Sequence, residues 1–289
     1  MSMGCASKFG VGASAPATLL LDLMSGDVGL QETLINGTGV RGTRTRHKSR
    51  TRKGTRRPTG SITIEPNVDE LLFWLPYILG GTPSGTTYPL GETLSSFIVT
   101  KDMVTKVFTY TGCKIASASF KSSQGGPLQL TLNIEGVDET VGNAGTFPDI
   151  ELGEAAPFVH HDGAFAVNSL TGRTFFDFEL NIDNMLDGER FGNSATRTAL
   201  NPTDRNITVS LTPPYGGNHD MYALLETGVP ISATFTNGTV SVAFSMPFVQ
   251  VPRVTPLIAG KAENRLMLKG EARGDDANSE LVVTLDSTP

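Results

Sequence analysis

The stretch "RGTRTRHKSRTRKGTRRPTG", residues 41–60, carries nine basic side chains: Arg41, Arg44, Arg46, Lys48, Arg50, Arg52, Lys53, Arg56 and Arg57. No Asp or Glu falls between Glu32 and Glu65. From 44 to 52 the cations Arg44, Arg46, Lys48, Arg50 and Arg52 hold the even positions, and Thr45, His47, Ser49 and Thr51 hold the odd ones. Side chains of a strand alternate between two faces, so this parity predicts an extended ribbon, cationic on one face and hydroxyl-rich on the other. A helix would scatter the same charges around its axis. Gly54 offers a place to turn, and "GSITIEP" reads as a returning strand, which makes the segment a long polar β-hairpin reaching out from a body. An unstructured basic loop is the alternative that composition also permits.

The remainder of the chain has the opposite sign. Those nine cations are taken from 23 Lys+Arg, leaving 14 against 29 Asp+Glu, so the segment stands at +9 and the rest at −15. Such asymmetry suggests a polyanionic partner or self-association between oppositely charged surfaces. The 289 residues leave room for one large or two ordinary domains, and 32 Gly with 17 Pro point to many turns and hence to β structure.

One helix stands out in "EPNVDELLFWLPYILGG". Asn67 is placed as its N-cap with Glu70 completing a capping box, Leu71, Trp74, Leu75, Ile78 and Leu79 recur at helical spacing, and Gly80–Gly81 ends it. Pro76 removes one backbone bond and bends the last turn. Phe73 and Tyr77 widen the apolar stripe, so the helix is expected to be covered on more than one side. "ATLLLDLM", "SSFIVTKD", "KVFTYTGCKIASASFKS", "PLQLTLNIEGVDE", "TFFDFELNIDN", "RNITVSLTP" and "VPISATFTNGTVSVAFSMPFVQV" read as strands, the last with a hairpin turn at Asn237–Gly238. "MYALLETG" reads as a short second helix, "ENRLMLKGEARGDDANSELVVTLD" as a terminal hairpin, and the acidic run "EGVDETVGNAGTFPDIELGEAAP" as a surface loop. No linker separates two cores, so the reading is a single mainly-β (α+β) domain over 1–289. It has an N-terminal arm at 1–16, the basic hairpin at 36–62, the helix at 67–80 and C-terminal strands at 262–289.

The motifs that suggest chemistry are weak. "GTGVRG" (Gly37, Gly39, Gly42) matches a dinucleotide fingerprint but leads into a cationic β pattern where a helix would have to start. "DNMLDGER" fails the calcium-loop pattern at Met185 and Ser194, which leaves a solvated turn with an Asp187–Arg190 contact. "HHDG" (His160, His161, Asp162) has no partner at metal-site spacing. Cys5 and Cys113 belong to no C-x-x-C and suggest neither zinc, redox chemistry nor a disulfide framework. "MGCASK" is not an acylation signal, because removing one Met does not expose Gly4. "APATLLLDLM" is too short for a membrane span or signal peptide, so a soluble protein made inside a cell is expected. No nucleophile elbow is present, and no cofactor, metal or enzymatic activity is expected. For the basic segment the residues leave three readings open: binding nucleic-acid phosphates, docking on an acidic surface of another copy, or a solvated loop. Against the first, no aromatic residue is interleaved for stacking on bases.

The succession "GVRGTRTR", "GSITIEPNVDELLFWLPYILGG", "YPLGETLSSFIVTKD", "FTYTGCKIASASF", "PLQLTLNIEG", "FELNIDNMLDGERFGNS" and "NPTDRNITVSL" resembles the tail tube proteins of long-tailed, non-contractile bacteriophages, from about residue 17 to about residue 285. The resemblance implies a β-sandwich-like body with one flanking helix. Six copies would close into a ring, and rings would stack into a tube that conducts the genome. It implies a virion protein made in the host bacterial cytoplasm. Its partners would be other copies, the tape-measure protein and the tail-terminator and tail-tip proteins, with viral DNA passing through the lumen without specific binding and no membrane involved. In the family a hairpin between early strands bridges stacked rings, the place that residues 36–62 hold here, and both termini join inter-subunit contacts. Four strands from each of six copies, ~4.8 Å apart, would give a barrel backbone about 37 Å across, wide enough for a duplex of roughly 20 Å. A cationic lumen would hold the phosphates passing through it. The basic ribbon is therefore expected against carboxylates of the next ring, with Glu135, Asp138, Glu139, Asp149, Glu151 and Glu154 as candidate acceptors.

Overall fold

A computed structural model of the chain describes residues 6–40, 42–168, 174–215, 228–253, 255, 258, 260–261, 263–275 and 279–287. Period-two alternation along the sequence is realised as strands: Leu130, Leu132 and Ile134 are buried on one face of a strand, as are Phe178, Leu180 and Ile182 on another. In chain order the strands are β1 (Lys8–Gly12), β2 (Leu19–Leu20), β3 (Leu23–Asn36) and β4 (Thr51–Ile64). The helix α1 (Val68–Leu79) follows, and then β5 (Thr87–Tyr88), β6 (Phe97–Asp102), β7 (Lys106–Ser123), β8 (Gln129–Glu135) and β9 (Asp138–Asn143). The last are β10 (Gly163–Val167), β11 (Asp177–Asp183), β12 (Asn206–Leu211), β13 (Val229–Asn237), β14 (Val240–Gln250), β15 (Leu268–Ala272) and β16 (Val282–Asp286). The fold is mainly β, as the sequence predicts.

The pairing is antiparallel, and its spine runs β10-β13-β14-β15-β12-β11-β7-β6-β1-β2, with β8, β4 and β3 branching from β7. The first half of β7 pairs with β6 and β9, and its second half with β8 and β11. Phe244 of β14 lies 4.8 Å from Phe120 of β7, although β15, β12 and β11 separate the two strands along the sheet. The sheet therefore curls over itself and closes a core between facing layers. Helix α1 covers this core: Asn67 and Glu70 form both bonds of the capping box, Gly80 ends the helix in the left-handed region, and Trp74 packs edge-on to Phe97 at 5.3 Å. Phe73 and Tyr77 meet the same Phe97 ring, which widens the packed face of the helix, while Leu72 is left exposed.

Several sequence expectations need correction. Residues 44–52 are not a ribbon. Residues 37–40 and 42–47 are irregular and lead into a short 3₁₀ turn at Lys48–Arg50, and the cationic strand begins at Thr51. The partner of β4 is β3, and Gly54 lies inside β4 rather than at a turn. A 44–52 hairpin turning at Gly54 would set like charges opposite one another, whereas the observed register puts Glu32 opposite Arg56. Residues 8–12 are not part of an arm, since Phe9 and Val11 are buried in β1 against β6. The C-terminal strands do not pair as a hairpin: β15 and β16 lie one after the other along the same edge of β14. The acidic run begins as β9 before it becomes irregular. "MYALLETG" falls on residues 221–228, of which 221–227 lie outside the described residues.

Candidate assembly site on the basic hairpin

The hairpin of β3 and β4 is the outstanding feature of the surface. Only Thr59–Ile64 of β4 pair with β8, so Thr51–Pro58 and the strand opposite them extend past the sheet by roughly 25 Å, with residues 37–40 and 42–50 beyond. Glycine makes the root possible. A Cβ on Gly60 would stand 2.0 Å from the carbonyl oxygen of Asp27, and one on Gly26, at φ 102, would stand 2.0 Å from that of Ser61. Lys101 ties the root to β6 through Asp27 Oδ1 at 2.8 Å and the Val28 carbonyl at 2.9 Å.

The charges of the hairpin divide into two groups. Near the body, Lys53 pairs with Glu32 at 3.0 Å, Arg56 with Asp138 at 3.1 Å, and Arg57 with Glu189. The 186–200 loop braces this half. The Arg56 amide donates to the Ala195 carbonyl at 2.8 Å, and the Gly136 amide donates to that of Pro58 at 2.9 Å. Arg197, 3 % exposed, donates to the Gly188 and Gly136 carbonyls at 2.6 and 3.0 Å and pairs with Glu135 at 2.7 Å. Burial lowers the Arg197 pKa, and the Glu135 carboxylate opposes that shift. Farther out, Arg44, Arg46, Lys48, Arg50 and Arg52 are exposed and pair with no carboxylate among the described residues. Leu34 and Ile35, each 62 % exposed, and the fully exposed Val40 stand among them. Arg41 lies outside the described residues.

The six acidic candidates separate in the same way. Glu135 and Asp138 are taken by Arg197 and Arg56 of their own chain, and the charge of Glu139 adds to burial in raising the Tyr110 pKa. Asp149, Glu151 and Glu154 are exposed in the irregular segment after β9. Sequence reading missed Arg197 and Glu189, whose roles depend on a loop folding back over the hairpin; no local spacing signals that. The expected Asp187–Arg190 contact is not formed, and it is Glu189 of that turn that meets Arg57.

The remaining polar groups serve packing. His160 is buried with Nδ1 2.9 Å from Ser122 Oγ and Nε2 3.0 Å from the Phe175 carbonyl, so Nε2–H donates to the carbonyl and Nδ1 accepts from the hydroxyl. No group of three or more His, Cys, Asp or Glu among the described residues is placed to hold a metal ion. Cys113 is free, and burial pushes its thiol up to about 12. No helix among the described residues is long and apolar enough to cross a membrane.

A curled antiparallel body with one capped helix and a projecting basic hairpin agrees with a comparison of the sequence with known families, in which residues 4–278 match the phage tail tube proteins. The chain belongs to the phage tail tube protein family. No curated protein matches it. As a tail tube protein it is a structural component of the virion tail, in a family whose members build a tube and are not enzymes.

Proposed function

We propose that six copies of this tail tube protein close into a ring, that rings stack into a hollow tube conducting the genome out of the particle, and that the basic hairpin bridges one ring to the next. The observation that supports this reading most is the hairpin itself. Its near half is neutralised within the chain, while its far half presents, among the described residues, five cations and three exposed apolar side chains to something outside. A solvated loop would have no use for exposed Leu34, Ile35 and Val40. Ring closure is supported by the sheet edges: among the described residues β3 pairs only with β4, and β10 only with β13. Such edges are templates for a neighbouring strand, and closure into a ring covers them. The −15 remainder suits a wall that repels passing phosphates. The tape-measure protein and the terminator and tip proteins are the expected partners along and at the ends of the tube.

Negative-stain microscopy of the purified protein tests this reading. Rings or tubes of uniform bore are expected, and a monodisperse monomer at high concentration would refute it. The five unpaired cations also admit a second reading, a nucleic-acid binder. It predicts affinity for DNA that falls steeply with salt, yet no Phe, Tyr or Trp occurs between Phe9 and Phe73 to stack on bases.

A further inference from the structure

The two ends of the β3–β4 hairpin are complementary. At the root, where Leu23 pairs with Ile64, a cleft of about 190 Å³ opens at the N-terminus of α1. Asp22, Glu65, Asp69 and Glu70 line it, with Met24 and Leu152 adding apolar surface, and no Lys or Arg among its lining residues. Asp22, Glu65 and Asp69 have no cationic partner among the described residues. Exposed Glu151 and Glu154 flank Leu152 and add to the negative field. Lys8 and Lys101 line the neighbouring depression, but Lys101 is bound to Asp27 and Lys8 lies over the Phe147 ring. Glu70, at the floor, has its pKa raised to about 7, chiefly by burial and further by the charges of Asp22 and Asp69. At the other end lies the unpaired, partly apolar cationic tip.

We infer that the hairpin tip of one copy docks in the acidic cleft at the α1 N-terminus of a second copy, so that copies stack head to tail along the hairpin axis. The inference rests on the self-assembly proposed above and names the two surfaces that meet. Three observations select this pairing. The carboxylates nearest the hairpin in its own body, Glu32, Asp138 and Glu189, are already neutralised. The cleft offers both of the chemistries that the tip presents, uncompensated carboxylates and exposed Met24 and Leu152, at 49 % and 46 %. The 14 residues of β3 hold tip and cleft apart by roughly 40 Å at ~3.3 Å per residue, so a tip cannot reach its own cleft. A contact between unlike surfaces at opposite ends of a spacer is heterologous, and it generates a stack where the rotation from copy to copy does not close. Its axial repeat should match the spacer, roughly 40 Å.

Zero-length carbodiimide cross-linking of assembled wild-type protein, mixed from ¹⁴N- and ¹⁵N-labelled copies, tests the assignment. The Lys48 amine should form an inter-copy amide with Asp22, Glu65 or Asp69, with water taken up by the carbodiimide. Links from Lys48 only to other carboxylates overturn it. In parallel, Asp22→Lys with Asp69→Lys should raise the concentration needed for tubes at least tenfold while rings persist. Arg46→Glu with Arg50→Glu should do the same, and mixing the two variants should restore stacking. If the cleft pair does not fold, Asp22→Asn with Asp69→Asn should still raise that concentration severalfold. Wild-type tubes beside unimpaired tubes of the folded cleft variant overturn the docking assignment alone. Wild-type protein that forms neither rings nor tubes overturns the assembly reading beneath it.

Discussion

Replacing Arg197 with Ala should destabilise the fold far more than removing any other cation around the hairpin. Arg197 is 3 % exposed and makes three contacts: two with the Gly188 and Gly136 carbonyls and one with the Glu135 carboxylate. Hydrogen bonds involving a charged group contribute ~1.5 kcal/mol or more each, and removing one partner of a buried pair typically costs ~3–5 kcal/mol. A loss of about 4 kcal/mol is therefore expected. Arg57 also pairs with a carboxylate, but Glu189 is largely exposed, so Arg57→Ala should cost no more than ~1 kcal/mol. Urea denaturation of unassembled protein gives both numbers, because the single tryptophan, Trp74, is fully buried and reports global unfolding. Hydrogen exchange localises the effect: the Arg56 amide, bonded to Ala195, should lose protection in Arg197→Ala and keep it in Arg57→Ala. Equal costs for the two variants, or an Arg197→Ala cost below ~1 kcal/mol, would show that the 186–200 loop does not brace the hairpin.

Glu70 gives the protein a pH dependence of definite sign. Its folded pKa is about 7 against an ordinary 4.5, so the folded state binds the additional proton between those values. Stability should fall as pH rises from about 4.5 to about 7, by roughly 3 kcal/mol, and level off above. The urea midpoint of wild type minus that of Glu70→Gln, taken from pH 5 to 8, should decrease over this window, and a difference that rises with pH would contradict the burial argument. Gly60→Ala should cost about 2 kcal/mol or more, because its Cβ would stand 2.0 Å from the Asp27 carbonyl oxygen and would force β3 away from β4. A Gly60→Ala midpoint equal to that of wild type would show that the crossing at the hairpin root has room to spare.

What the sequence disclosed and what it hid follow one rule, the range of the interaction involved. The capping box of Asn67 and Glu70 spans three residues, and the Trp74 stripe lies within one helix, so both were legible to the residue. The β-rich runs were legible for the same reason, since alternation is local. The hairpin was read in the wrong register because parity over 44–52 is a local signal, whereas the pairing of Glu32 with Arg56 and the burial of Ile62 and Ile64 are decided by β3 and β8. Phe9 and Val11 look unremarkable among small residues, and only the presence of β6 makes them core. The terminal strands failed in a related way. β15 and β16 each satisfy a hairpin pattern, but the long edge of β14 has room for both in succession. Of the candidate site, the list of cations was readable. Its division into paired and unpaired halves was not, since that depends on Glu189 and Arg197, more than a hundred residues away in sequence.

That division has an energetic consequence for the order of assembly. An exposed ion pair contributes only ~0–1 kcal/mol, so one docked tip would hold two isolated copies too weakly to compete with the freedom they lose on association. Six tips between two closed rings act together, and the entropy of bringing the rings side by side is lost once rather than six times. On the proposed reading, ring closure must therefore precede stacking, and neutralising the near half of the hairpin is what keeps these two steps separate. Were Lys53, Arg56 and Arg57 also free, the described residues of the hairpin would present eight unpaired cations, counting Arg44, Arg46, Lys48, Arg50 and Arg52 with them, and could adhere to any acidic surface before a ring had formed. Committing three of them to Glu32, Asp138 and Glu189 stiffens the part of the hairpin that must set a distance and leaves adhesive only the part that must make a contact.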